Sequence, residues 1–121
     1  MNIRVVNLEE KASQIKELHR YRLVAELNDY QVKLARLEGE FVWHRHEETD
    51  ELFYVVSGRL EIAFRDHSVT LNEGELLVVP KGVEHLPRAE AECLVMLIEP
   101  RGVPNTGDAG GERTAPNDCW I

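Results

Sequence analysis

Trp43-His44-Arg45-His46-Glu47-Glu48-Thr49-Asp50-Glu51 runs directly into the apolar segment Leu52-Phe53-Tyr54-Val55-Val56, and further on the chain reads Pro80-Lys81-Gly82-Val83-Glu84-His85. Side chains two apart on a strand point to the same face, so His44 and His46 can chelate one ion together. A hairpin through the acidic turn would bring Glu51 back opposite the two histidines. In the run that follows, Glu51, Phe53 and Val55 share a face, which places the carboxylate on the interior side. His85 follows a Pro-x-Gly turn after Leu76-Leu77-Val78-Val79, so it too begins or occupies a strand. Three imidazoles and a carboxylate are the ligand set of a divalent transition-metal site with exchangeable positions left open. Taken alone, the first cluster also describes a solvated His-x-His pair beside an exposed acidic loop. The second cluster turns the balance toward a metal site.

The two segments resemble the two motifs of the cupin superfamily. The first family motif is Gly, five residues, His-x-His, three or four residues, Glu, six residues, Gly. Here it reads Gly39, four residues, His44-x-His46, four residues, Glu51, six residues, Gly58. The second motif is Gly, five residues, Pro-x-Gly, two residues, His, three residues, Asn. Here it reads Gly74, five residues, Pro80-x-Gly82, two residues, His85, three residues, Ala89. All four metal-ligand positions match. The chain departs from the pattern in the short Gly39 spacer and in Ala89, which removes a hydrogen-bonding group near the site but no ligand. Glu47, Glu48 and Asp50 compete with Glu51, and a three-residue spacer would select Asp50. The interval to Gly58 and the inward alternation with Phe53 and Val55 both favour Glu51.

The resemblance implies an all-β fold, the cupin double-stranded β-helix or jelly-roll barrel, of the small single-domain kind. It implies one divalent transition metal (Fe, Mn, Ni or Zn) at His44, His46, Glu51 and His85. Val42 and Phe53, strand-mates of the ligands, are expected to line the pocket together with Pro87 and Ala89. That lining is apolar, and Arg36, Arg59 and Arg88 are the only nearby phosphate-binding candidates. A phosphorylated sugar, which a loose likeness to sugar-phosphate isomerase cupins suggests, therefore has little support. No dedicated general base stands out beyond the ligands, with Tyr54, Glu84 and His19 left as candidates.

The remaining sequence fits around these motifs. At 121 residues the chain has the size of one ordinary domain and can bury a core. Many short strands with regular turns point independently to a barrel or jelly roll. Strands are expected at about 30–38, 41–46, 51–57, 59–65, 68–71, 76–79, 85–89 and 93–99. Asn7 with Glu10 resembles an N-cap and its capping-box partner, and Leu8, Ala12, Ile15 and Leu18 keep a helical period. One amphipathic helix is expected over roughly 8–23, with His19 on its surface or in its packing. The expected organisation is therefore 1–29 as an N-terminal helix packing on the barrel, 30–100 as the barrel, and 101–121 as a Gly/Pro-rich tail. The terminal Trp120-Ile121 pair is expected to dock on a barrel, its own or a partner's.

A formal net charge of −8 opposes binding to nucleic acid or to anionic membranes. No helix-turn-helix pattern follows the barrel, and no apolar run approaches membrane length. Cys93 and Cys119 form no disulfide framework, which fits a reducing cytoplasm. Small cupins are commonly homodimers, and Phe41 and Trp43 are expected on an outer face suited to that contact. The function expected is a metal-dependent enzyme acting on a small polar metabolite, with isomerase- or dioxygenase-type chemistry. The alternative is a non-catalytic cupin that binds or senses a small molecule.

Overall fold

A computed structural model describes residues 3–111 and 119–121. The helix α1 spans Leu8–Ala12, and the strands are β1 (Arg22–Leu27), β2 (Tyr30–Glu40), β3 (Glu51–Ser57), β4 (Arg59–Ala63), β5 (Ser68–Asn72), β6 (Leu76–Val79) and β7 (Leu86–Pro100). All the strand pairs are antiparallel. The order β1-β2-β7-β3-β6 forms the main path, and the β4–β5 hairpin attaches through β4 to β7. The arrangement is the expected all-β barrel of jelly-roll type.

The fifteen-residue strand β7 is the spine. Its C-terminal half pairs with β3 on one side and β2 on the other, while its first residues pair with β4. Sequence reading divides this strand into 85–89 and 93–99; the exposed Glu90-Ala91-Glu92 between them forms the register shift opposite Leu37 and Gly39. Gly58 closes the β3–β4 turn with φ +87°, and a Cβ there would lie 2.9 Å from Cys93 Cβ. Only glycine meets both demands without strain.

Side-chain alternation divides the apolar residues into two cores. Inside the barrel lie Tyr21, Ala35, Leu37, Phe53, Val55, Leu60, Ile62, Leu71, Val79, Ala89, Cys93, Val95 and Leu97. On the outer face of the sheet, Ala12 and Ile15 pack on Val24, Leu34 and Leu94.

The helix is much shorter than its apolar period suggests. Its start is as expected, with Asn7 Oδ1 accepting from the Glu10 N–H at 2.9 Å. It ends at Ala12 because Arg36 captures the carbonyls that a longer helix would use. The guanidinium donates to Ala12 O at 2.8 Å and to Ile15 O at 3.1 Å. His19 then takes a left-handed φ of 61°, and the chain enters β1, of which the expected helix over 8–23 covers only Arg22 and Leu23. Tyr21 and Leu23, both buried, show the two-residue alternation of a strand over that segment.

Two further expectations are corrected. His19 lies on no helix: it is buried, stacks on Phe41 with centroids 5.6 Å apart, and makes a 2.9 Å hydrogen bond to Glu38 O. Phe41 is not on an outer face but buried between His19, Tyr21 and His44. The β2–β7 register shift and Gly39, at φ +74°, redirect the chain just before it. Trp43 is half-buried beneath the Arg65 guanidinium, 3.8 Å from its ring centroid.

Residues 41–46 form no strand; His44 and His85 instead make an isolated antiparallel bridge. The chain end docks on its own barrel. Leu23 N–H donates to Cys119 O at 2.8 Å and Ile121 N–H to Leu23 O at 3.1 Å, so the terminus runs along the edge strand β1. Residues 112–118 of the expected tail lie outside the described residues.

Candidate metal centre

His44, His46, Glu51 and His85 come together from three separate segments, and all four are buried. Their ligand atoms lie within 4.8 Å of one another. The His44–His85 bridge is closed by two backbone hydrogen bonds, His44 N–H to His85 O at 3.1 Å and His85 N–H to His44 O at 2.9 Å. This brings the two imidazoles to 4.3 Å between centroids. Glu51 opens β3 and alternates inward with Phe53 and Val55. The competing acids turn away: Asp50 accepts from Lys81 N–H at 2.9 Å, Glu47 pairs with Arg45, and Glu48 is exposed.

The backbone fixes how two of the rings present themselves. A carbonyl oxygen can only accept, so His44 Nδ1 donates to Val42 O at 2.9 Å and His85 Nδ1 donates to Val83 O at 3.0 Å. In the neutral ring each Nε2 then carries a lone pair directed into the cluster. Such backbone anchoring of the outer nitrogen is what orients histidines toward a metal. Glu51 Oε1 lies 3.1 Å from both His46 Nε2 and His85 Nε2. The His85 contact is aligned as a hydrogen bond; the His46 contact is equally close but not aligned as one.

Three buried atoms of the cluster, His44 Nε2, His46 Nε2 and Glu51 Oε2, have no hydrogen-bond partner. Unpaired polar atoms in such a place are costly, and a divalent cation would satisfy all of them. The donor set and its geometry therefore fit the group that the motifs imply.

Without a cation the carboxylate draws on its histidines. Burial pushes Glu51 up, but the contacts with His46 and His85 outweigh it and hold the carboxyl down at about 2. Burial pulls His46 down, and its contact with Glu51 reverses the direction to a net rise. His44 falls to about 4, first through burial and then through the nearby His85.

The other residues named from sequence are arranged around this cluster in different ways. Phe53 meets His85 edge-on at 5.9 Å. Val42 contributes the carbonyl that holds His44. Pro87 is buried and its carbonyl accepts from Phe41 N–H at 2.9 Å, while Ala89 lies with Phe53 in the interior core. None of the three arginines enters the interior: Arg36 binds the end of α1, Arg59 faces Glu90, and Arg88 pairs with Glu61. Glu84 is paired with Arg65, and the partly exposed Tyr54 alternates with the inward Phe53 and Val55.

Two further features border the site. The first is the strap of residues 102–108, which packs against the His44–Arg45 segment. Arg45 N–H donates to Asp108 Oδ1 at 2.9 Å, and Asp108 N–H donates back to Arg45 O at 3.1 Å. Asn105 and Thr106 are buried. Between the strap and the acidic loop Glu47–Thr49 lies a cavity of about 250 Å³ that reaches His46. The second feature is the pair Lys33 and Glu99, buried inside the barrel with Nζ and Oε1 3.1 Å apart. Its signal was present: Glu99 continues the inward series Cys93, Val95, Leu97.

The cupin-domain family model matches residues 31–99, more than half of the chain. The chain belongs to the cupin family. This cupin is similar to a cupin-2 domain protein of known structure from Shewanella frigidimarina NCIMB 400, with 55% identity and a TM-score of 0.80 over 80% of this chain and 95% of that one. It is also similar to the protein NMB1881 from Neisseria meningitidis, with 36% identity and a TM-score of 0.73 over 80% and 99% of the two chains. Among curated proteins, the cupin is 37% identical to YdbB, an uncharacterized protein of Bacillus subtilis (strain 168), over 77% of this chain and 83% of that one. Among the described residues no helix is long and apolar enough to cross a membrane.

Proposed function

We propose that this cupin holds one divalent transition-metal ion, Fe, Mn, Ni or Zn, at His44, His46, Glu51 and His85, and that it is an enzyme acting on a small polar metabolite. The observation that carries the reading is the convergence of four buried ligand atoms within 4.8 Å, three of the cluster's polar atoms having no other partner. Four protein ligands on a six-coordinate ion leave two positions open, enough for a bidentate substrate or for dioxygen. Such an ion supplies Lewis acidity toward a carbonyl or hydroxyl oxygen, or redox chemistry where it is iron. The chain's own residues orient the histidines, bury the cluster, and leave a cavity beside the strap that reaches His46. The reaction this supports is isomerisation or oxidation of a hydroxy or hydroxy-carbonyl compound. The outward-facing, paired arginines weigh against a phosphate as the recognised group.

The free Cys93 and Cys119 support a reducing, cytoplasmic setting. The acidic charge of −8 supports a small-molecule ligand over nucleic acid or membrane. The proposed assembly is a homodimer. It uses the outer sheet face, where Val78, Leu52, Ile98 and Val32 stand in one cross-strand row and Leu76, Tyr54 and Met96 in the next. Leu76 and Val78 lie on the edge strand β6 and are 59% and 46% exposed, a patch that a second copy would cover.

Thermal melting against a panel of divalent cations tests the metal reading. Micromolar Fe, Mn, Ni or Zn is expected to raise the Tm of the stripped protein and to leave a His44→Ala/His46→Ala variant unmoved. Equal shifts in both proteins would overturn it. A non-catalytic binding role is the outcome if the loaded protein holds small chelating ligands but turns over none.

A further inference from the structure

The cavity beside His46 has two unlike walls. One is the strap, which presents Gly102, Val103, Pro104 and Gly107; the other is the loop Glu47–Thr49, with Arg45 and Asp108 where the two meet. The strap wall is held from both sides. Lys33 Nζ donates to Val103 O at 3.4 Å, and Asp108 is bound twice to Arg45, through Oδ1 and through its own N–H. These contacts fix the width of the space. Its volume of about 250 Å³ lies just below the range of drug-sized sites, which suits the short tail of a ligand whose head lies elsewhere. His46 lines the same cavity, is 5% exposed, and has no hydrogen-bond partner at Nε2. The space therefore abuts a buried polar side chain of the metal cluster.

The charges around the cavity do not balance. Among the lining residues the guanidinium of Arg45 faces three carboxylates, those of Glu47, Glu48 and Asp108. That guanidinium is already engaged: Nε donates to Glu47 Oε1 and lies 3.7 Å from Asp108 Oδ2. Glu48 is exposed and forms no ion pair among the described residues. One carboxylate at the cavity is thus left uncompensated, in a chain whose formal net charge is −8. A carboxylate or phosphate entering here meets like charge, whereas an ammonium group meets an opposite one.

We propose that this cavity receives the tail of the ligand whose chelating head occupies the metal centre, and that Glu48 selects a cationic tail over a carboxylate or phosphate. The inference rests on the metal reading above. Val103 and Pro104 supply the apolar wall on which the methylenes between head and tail pack, and the Glu48 carboxylate pairs with the tail's charge. The ligand class is a short aliphatic amine that carries a chelating hydroxy or hydroxy-carbonyl head.

The test is a calorimetric titration of zinc-loaded wild type, Glu48→Lys and Glu90→Lys with three hydroxamic acids of matched length. Each carries the same bidentate head on two methylenes. The chain ends in an ammonium group (β-alanine hydroxamic acid), a methyl (butyrohydroxamic acid) or a carboxylate (succinic monohydroxamic acid). Salt near 0.15 M screens charges beyond about 8 Å. Relative to the methyl ligand, Glu48→Lys is expected to weaken the ammonium ligand and strengthen the carboxylate ligand, each by about tenfold against wild type. Comparison between proteins cancels the influence of each tail on its own head. Glu90→Lys makes the same change of net charge on the exposed bulge of β7, outside the cavity lining, and is expected to keep the wild-type order. Should Glu48→Lys fail to fold, Glu48→Gln is expected to move both affinities in the same directions by about threefold. Unchanged relative affinities in the Glu48 variant, or an equal shift in Glu90→Lys, overturn the tail pocket and leave the metal centre standing. Zinc uptake with no hydroxamate binding does the same. Wild type that takes up neither zinc nor any other divalent transition metal overturns the metal reading and the tail pocket with it.

Discussion

His85 Nε2 stands 3.1 Å from Glu51 Oε1 while the opposite nitrogen of the same ring, Nδ1, already donates to the Val83 carbonyl. That anchoring leaves Nε2 as the ring atom turned toward the carboxylate, so the two are placed to share one cation.

The buried pair Lys33–Glu99 gives the first prediction. Lys33→Met alone takes from the Glu99 carboxyl the charge that pulls its pKa down and is expected to destabilise the fold as pH rises past about 8, whereas Lys33→Met/Glu99→Leu is expected near wild type. Urea unfolding of the three proteins decides it. A double variant as unstable as the single would mean that the pair is structural.

A second prediction concerns pH. Glu99 has its carboxyl raised to about 8 in the folded protein against an ordinary unfolded value of roughly 4.3. A raised pKa means the folded state holds its proton longer, so this group's contribution to stability is complete below about pH 4 and is lost as pH rises toward 8. Glu99→Gln removes that loss. The Tm of the metal-free variant relative to metal-free wild type is therefore expected to climb across this window; a difference independent of pH would contradict the assignment.

Gly107 is the tightest point of the strap. With φ +54°, a Cβ here would collide with the Arg45 carbonyl oxygen and come within 3.0 Å of His44 Cδ2. Gly107→Ala is expected to lift the strap, costing about 1–3 kcal/mol and speeding proteolysis within residues 102–108. A cleavage rate equal to wild type would show that the strap does not depend on this contact.

For the assembly, sedimentation is expected to find wild-type dimers and monomers of Leu52→Lys/Val78→Lys, since two charges would be buried in the apolar rows. A monomeric wild type would contradict the dimer.

Much of the site was legible because its signals are short-range. The alternation of Glu51, Phe53 and Val55 set the carboxylate inward, and the His-x-His spacing with a Pro-x-Gly turn before His85 marked the remaining members of the cluster. What failed depended on contacts distant in sequence. The period through Leu8, Ala12, Ile15 and Leu18 is helical, yet Arg36, on a strand far along the chain, takes the carbonyls of Ala12 and Ile15. The alternation of a strand over 41–46, with Val42, His44 and His46 inward, places Phe41 outward, but those residues form no strand. Lys33 and Glu99 were readable as inward positions, but their pairing spans sixty-six residues, and only the β2–β7 register brings them together.

The most direct test of the metal centre is elemental mass spectrometry of the purified protein beside His44→Ala/His46→Ala. About one equivalent of iron, manganese, nickel or zinc per chain, lost in the variant, is the predicted result. Iron would direct the search toward oxygen chemistry, and zinc or manganese toward Lewis-acid isomerisation. Wild-type protein that takes up none of these metals even after reconstitution would contradict the account.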